Sequence, residues 1–123
     1  MVAYSFKARF APLIVSGEKA QTIRGHRKRH ARPGEPVQLY TGMRTKRCRK
    51  IIPDPVCEAV EDILIRVPRG FEPCVVTQRG RTGYVTPQFA QADGFEGVED
   101  FTRFWFDTHG PGLFEGVVIR WSP

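Results

Sequence analysis

Acidic residues are nearly missing from the first fifty positions of this chain, where Glu18 and Glu35 stand against 13 Lys and Arg, a local balance of +11. The rest of the chain reverses the sign, with six Arg against 11 acids, so the net +6 of the 123 residues resides entirely in the first two-fifths. A field that uneven draws polyanions from solution and favours nucleic acid over a membrane surface as the partner. Long apolar runs are missing too. Nothing approaches the roughly 20 residues a membrane span needs, and no membrane partner is expected. The opening "MVAYSFKARF" has no cationic stretch followed by an apolar one, so no export signal is expected and a cytoplasmic location is. Cysteine is scarce: Cys48, Cys57 and Cys74 are odd in number and form no close pair. That argues against a disulfide framework and suits a reducing compartment. There is no G-x-S-x-G elbow, no glycine-rich phosphate loop, no repeat and no long linker, which leaves a single domain over residues 1–123.

A metal centre is also disfavoured. His26 and His30 are spaced H-x3-H, and Cys48 and Cys57 follow, but the cysteines are far from a C-x2-4-C knuckle. The histidines sit among cations that would repel Zn²⁺. No metal and no cofactor are expected, and Cys57 and Cys74 read as small buried apolar side chains.

What is present is a mixed pattern. "AYSFKARF" alternates, with Tyr4, Phe6, Ala8 and Phe10 on one side, as a half-buried strand does. "APLIVSGEK" reads as a short helix, with Pro12 in its first turn and Gly17 ending it. Pro33-Gly34 makes a turn before a strand in "EPVQLYTG", and "RCRKIIPDPV" reads as a third strand stopped by Pro53 and Pro55. "CEAVEDILIRV" reads as a strand, with a short helix as the alternative. "FEPCVVTQRGRTGYV" is a short strand or extended loop with a turn from Gly80 to Gly83. Thr86 is the N-cap and Pro87 the first residue of a helix stopped at Gly94. Val98, Phe101, Phe104 and Trp105 recur with a helical period, ended by Gly110-Pro111, and "GLFEGVVIRW" closes the chain as a strand. The sum is an α+β domain, a small curved sheet or β-barrel with two or three short helices at its rim. Parallel βαβ units are not expected, because only one helical segment is long enough for a crossover.

"GEKAQTIRGHRKRH", residues 17 to 30, carries the chemistry. Lys19 and Thr22 are three apart at the end of the short helix and share a face. A lysine desolvated in a cleft loses proton affinity and can take a proton from a hydroxyl. Arg24 stays charged and can hold a phosphate or carbonyl oxygen in its fork.

The segments "GEKAQTIR" (17–24), "RPGEPVQLYTG" (32–42), "ADGFEGVEDFTRFW" (92–105) and the closing "GVVIRW" follow one another in an order and spacing that resemble an ASCH domain, a small PUA-like barrel related to RNA-binding PUA domains. The resemblance spans nearly the whole chain. It implies that RNA or a nucleotide binds in a cleft lined by the G-x-K-x-x-T-x-R segment. Some members deacylate N4-acetylcytidine, and others are reported as ribonucleases. Carried over residue by residue, the resemblance implies a catalytic set of Lys19, Thr22 and Asp93, with Asp93 standing where those members carry the longer Glu. Thr22 would attack the acyl carbonyl or position a water, and Lys19 would accept and return the proton. Asp93 would fix the lysine or grip the exocyclic nitrogen of the base, and Arg24 would steady the oxyanion. The plain alternative is that Asp93 merely ends its helix.

The basic residues Arg27, Lys28, Arg29, Arg44, Lys46, Arg47, Arg49 and Lys50 fall beside this cleft in the sequence reading. Eight cations can meet several phosphates at once, which favours an RNA strand over a free nucleoside. Tyr40 and Tyr84 are stacking platforms or half-buried packing. Phe95, Phe101, Phe104 and Trp105 are assigned to the core, and His109 to a helix end. The leading expectation is a monomeric module binding RNA or another nucleic acid, with a basic cleft for a nucleotide or base. The alternative is a small hydrolase, either of acylated cytidine or a metal-independent ribonuclease. A basic face for an acidic protein partner is a third reading.

Overall fold

A computed structural model describes residues 2–122. The longest pairing is antiparallel and links β5 (Cys57–Val67) to β8 (Gly112–Trp121), from Cys57 opposite Trp121 to Val67 opposite Gly112. β5 alternates at its C-terminal half, burying Ile63, Ile65 and Val67, so these β-branched side chains form one wall of the core. β8 is buried on both faces from Gly116 to Ile119, as a central strand must be. β2 (Gln21–Gly25) adds to the other side of β8, and the hairpin of β6 (Val75–Gln78) and β7 (Arg81–Tyr84) extends the β5 side. The five-stranded order is β2-β8-β5-β6-β7.

A second sheet holds β1 (Val2–Phe6), β3 (Val37–Thr41) and the two-residue β4 (Arg49–Lys50) in the order β1-β3-β4. Phe6 of β1 meets Trp121 of β8 edge-on at 6.2 Å, one of the contacts that join the sheets. The α+β class therefore stands, but the described strands form two sheets and not one closed barrel. β1 and β3 pair in parallel, contrary to the sequence expectation. The crossover between them needs no long helix, because it passes through α1 (Ala11–Ser16) and then β2 of the other sheet. The first strand also ends early. The alternation of "AYSFKARF" breaks after Phe6, and Ala8–Phe10 form a 3-10 turn that still buries Phe10.

Gly17 adopts φ 87° at the end of α1, the left-handed conformation that glycine permits cheaply. α2 (Pro87–Ala92) starts as its sequence requires, with the Thr86 hydroxyl accepting the Phe89 N–H. In the hairpin, the turn falls on Arg79-Gly80, and Gly83 lies within β7. α3 (Val98–His109) buries Phe101 and Trp105, one turn apart. An aromatic cluster seats it: Phe95 packs on Phe10 at 5.4 Å, on Phe101 at 5.3 Å and on Phe104 at 5.0 Å. Each such burial stabilises the fold by roughly 1.5–3 kcal/mol, so Phe95 fixes the approach of α3 to the end of α2. Among the described residues, no helix is long and apolar enough to cross a membrane.

Candidate functional site

β2 is short but carries two of the four residues nearest the chemistry, and a third lies just before it. Lys19 lies in the two-residue approach to the strand, and Thr22 and Arg24 lie within it. The sequence pattern predicts Lys19 and Thr22 at a helix end. Gly17 turns the chain sooner, and the pairing of β2 with β8 makes the segment extended. The period is therefore two, which puts Thr22 and Arg24 on one face. Arg24 Nε donates to Thr22 Oγ1 at 2.9 Å, and an outer guanidinium nitrogen donates to the Ser5 carbonyl at 2.7 Å. One side chain thus ties β2 to β1 across the two sheets. Its guanidinium also stacks 4.8 Å from the Phe6 ring and 5.3 Å from Tyr4.

Lys19 and Asp93 form a buried pair, each only 4% exposed. Lys19 Nζ donates to the backbone carbonyl of Asp93 and stands 3.6 Å from its Oδ1. Gln21 Nε2 reaches the same Oδ1 at 3.3 Å. The Lys19 amine also rests 4.9 Å above the Phe10 ring. Burial lowers the pKa of Lys19, with Asp93 opposing and Arg24 reinforcing the shift. Burial raises the pKa of Asp93, with Lys19 and Gln21 opposing. Both desolvation effects favour the neutral forms, and the mutual attraction holds the charged ones. Asp93 is the C-cap of α2 as well, so it ends the helix and builds the site at once. Gly94 makes this approach possible. At φ 96° it turns the chain, and a Cβ there would lie 2.7 Å from Lys19 Cδ and 3.0 Å from Phe10 Cδ1.

Lys19, Thr22, Arg24 and Asp93 line one cavity of about 280 Å³. That is near the lower bound of small-molecule sites, the size of one compact ligand and not of a strand. Aromatic rings share the lining: Phe6 and Phe10 beside Lys19 and Arg24, and Phe95, Phe104, Trp105 and Phe114. Trp105 is 3% exposed, and its indole N–H has no hydrogen-bond partner. His109 lines the cavity too, its ring stacked on Trp105 at 4.5 Å and 22° and leaning on Phe114 at 5.2 Å. Lys7 completes the lining, its amine 5.0 Å above the Phe104 ring.

Comparison of the chain with protein-family models, with curated proteins and with solved structures gives no match. The geometry alone carries the argument.

The remaining sequence-selected residues separate into two groups. Arg27 donates to the Arg29 carbonyl at 2.9 Å and the Ala3 carbonyl at 3.3 Å, and lies 4.5 Å over the Tyr4 ring. Arg29 is paired with Glu35. His30 Nε2 donates to the Gly25 carbonyl at 2.8 Å, which leaves Nδ1 to accept the Tyr4 hydroxyl at 2.9 Å. This stretch is sewn onto β1 through Arg24, Arg27 and His30, while His26 and Lys28 are exposed with no side-chain partner among the described residues. The 44–50 stretch lies at the far edge of the three-stranded sheet, and none of it lines the cavity. Arg44, Lys46, Arg47 and Arg49 are exposed, with no carboxylate partner among the described residues; Lys50 pairs with Asp54 at 2.8 Å. Tyr40, half-buried on β3, carries the Lys50 amine 5.6 Å above its ring, and Tyr84 is exposed on β7. His26, Cys48 and Cys57 stand apart from His30's network, and no group of three metal-ligating side chains gathers among the described residues.

Sequence reasoning missed Lys7, Phe104, His109 and Phe114 as cavity residues. For His109 the signal was present: Phe101, Trp105 and His109 recur every four positions along one helix face. Lys7 gave none, since it lies on the solvent side of a strand pattern that stops before it.

Proposed function

We propose that this chain is an ASCH-type, PUA-like module that binds RNA, taking one base or nucleotide into the Lys19–Thr22–Arg24–Asp93 cavity while exposed cations hold the backbone. One observation carries the reading: buried hydrogen-bonding groups and aromatic rings line the same cavity of about 280 Å³. A base needs both, edges to pair and a face to stack. The free cations of the 44–50 stretch support a strand, since each phosphate neutralised releases a counterion.

The test is binding of short single-stranded RNA at several salt concentrations. Affinity should fall steeply with salt, and Arg24→Ala should weaken it at least about tenfold, because a charge-assisted hydrogen bond is worth roughly 1.5–3 kcal/mol. Retention of full affinity in Arg24→Ala would remove the cavity from the binding surface.

A second reading, hydrolysis of an acylated base, draws on the desolvated Lys19 amine. A neutral Lys19 is a competent base, and the Thr22 hydroxyl accepts from Arg24 and so keeps its own proton to give. In the resting arrangement the hydrogen bonds of Lys19 go to Asp93 and not to Thr22, which favours binding as the first reading. Incubation with N4-acetylcytidine, followed by mass spectrometry with Lys19→Ala alongside, separates the two.

A further inference from the structure

The cationic side chains of the cavity outnumber its acids. Lys7, Lys19 and Arg24 line it, and Asp93 is the one acid among its lining residues; His109, whose pKa burial lowers, adds a neutral imidazole. Asp93 is already engaged by Lys19 and Gln21, and Lys19 by Asp93. Arg24 is spent in part on Thr22 and Ser5. Lys7 and His109 remain. Both are exposed at the outer rim, and neither has a carboxylate partner among the described residues. Neither is loose: Lys7 is held over Phe104, and His109 lies flat on Trp105 against Phe114. The aromatic lining thus also seats two nitrogen-bearing side chains of the cavity. The edge of a neutral base offers these donors acceptors but no charge to balance the lining. A phosphate gives them acceptor oxygens and the negative charge the lining lacks.

We infer that Lys7 and His109 form a phosphate subsite at the rim, so that the ligand is a phosphorylated nucleotide and not a free nucleoside. The inference rests on the base-binding reading of the cavity. The phosphate has two sources, a nucleoside monophosphate or the backbone of an RNA strand, and both present the same oxygens to the rim.

Calorimetric titrations of the wild type, Lys7→Gln and His109→Gln test it. The probes are the four ribonucleosides, their 5′-monophosphates, inorganic phosphate and single-stranded RNA hexamers. The monophosphate of the preferred base should bind at least about tenfold more tightly than its nucleoside, the increment of a charge-assisted hydrogen bond. That ratio should fall towards one in both variants. Hexamer binding that weakens in Lys7→Gln, with no heat from any monophosphate, assigns the subsite to a backbone phosphate. Equal affinities for nucleoside and monophosphate in the wild type overturn the subsite but leave the base-binding reading standing. A ratio that survives in both variants overturns it too. No binding by any nucleoside, monophosphate or hexamer removes the base-binding reading, and the subsite with it.

Discussion

The two basic stretches, 24–30 and 44–50, look alike in the sequence and do different work in the fold. In the first, Arg24, Arg27, Arg29 and His30 each hold a carbonyl, a hydroxyl, a ring or a carboxylate of the protein itself. In the second, Arg44, Lys46, Arg47 and Arg49 are exposed and unpaired by any described carboxylate. A run of cations is therefore not one kind of surface. One run is part of the architecture and shapes the cavity; the other keeps its charge available to a polyanion. The difference follows from neighbours: β1 offers Ser5, Ala3 and Tyr4 to the first stretch, whereas the second projects from a sheet edge.

The largest effects should come from the buried end of this contrast. Asp93→Ala leaves the Lys19 charge desolvated without its carboxylate and should cost about 3–5 kcal/mol in denaturant unfolding. Adding Lys19→Met should recover much of that loss, since an apolar side chain needs no partner. A double variant no more stable than Asp93→Ala would contradict the pairing. Gly94→Ala should cost about 1–3 kcal/mol for the positive φ alone, with the crowding of Lys19 adding to it.

The second stretch should behave oppositely. Replacing Arg44, Lys46 and Arg47 together by Gln should leave unfolding within about 0.5 kcal/mol of wild type. The same triple change should lower the salt slope of RNA binding by about two, from roughly 0.7 per phosphate contact on a single strand. A triple variant that unfolds readily but binds normally would reverse the assignment of the two stretches.

The smallest effect concerns His30. Burial lowers its pKa in the fold, partly offset by its bond to the Gly25 carbonyl. The unfolded chain therefore takes up the proton first as pH falls below about 6.5, and stability is lost from that pH downward until the folded pKa is reached. Thermal unfolding at pH 7.5 and 5.5 should give a lower Tm at the acidic pH. The drop should be smaller in His30→Gln, and an identical drop in that variant would mean other groups carry it.

Much of this arrangement was legible before the structure. The Thr86 cap, the helical period of Val98 to Trp105 and the alternation in Ile63, Ile65 and Val67 are local signals, and local structure obeyed them. The grouping of Lys19, Thr22, Arg24 and Asp93 also emerged, although Asp93 is joined to Lys19 only by the fold. What stayed hidden depends on partners distant in the chain. The parallel match of β1 to β3 is set by a crossover that borrows a strand from the other sheet. The aromatic lining reads as ordinary core until α3 is seen to turn Phe104 and His109 towards β2. The neutralisation of Arg29 by Glu35 and of Lys50 by Asp54 is likewise invisible to a count of charges.

The most direct measurement is an NMR titration of the protein with a single-stranded RNA hexamer, following backbone amides and the two indole N–H resonances. The account predicts the largest shifts at Thr22, Arg24, Gly94 and the Trp105 indole, with smaller, salt-sensitive shifts across residues 44–50. Shifts confined to 44–50, with the Trp105 indole and β2 unmoved, would contradict it and leave a phosphate-binding surface with an unused cavity.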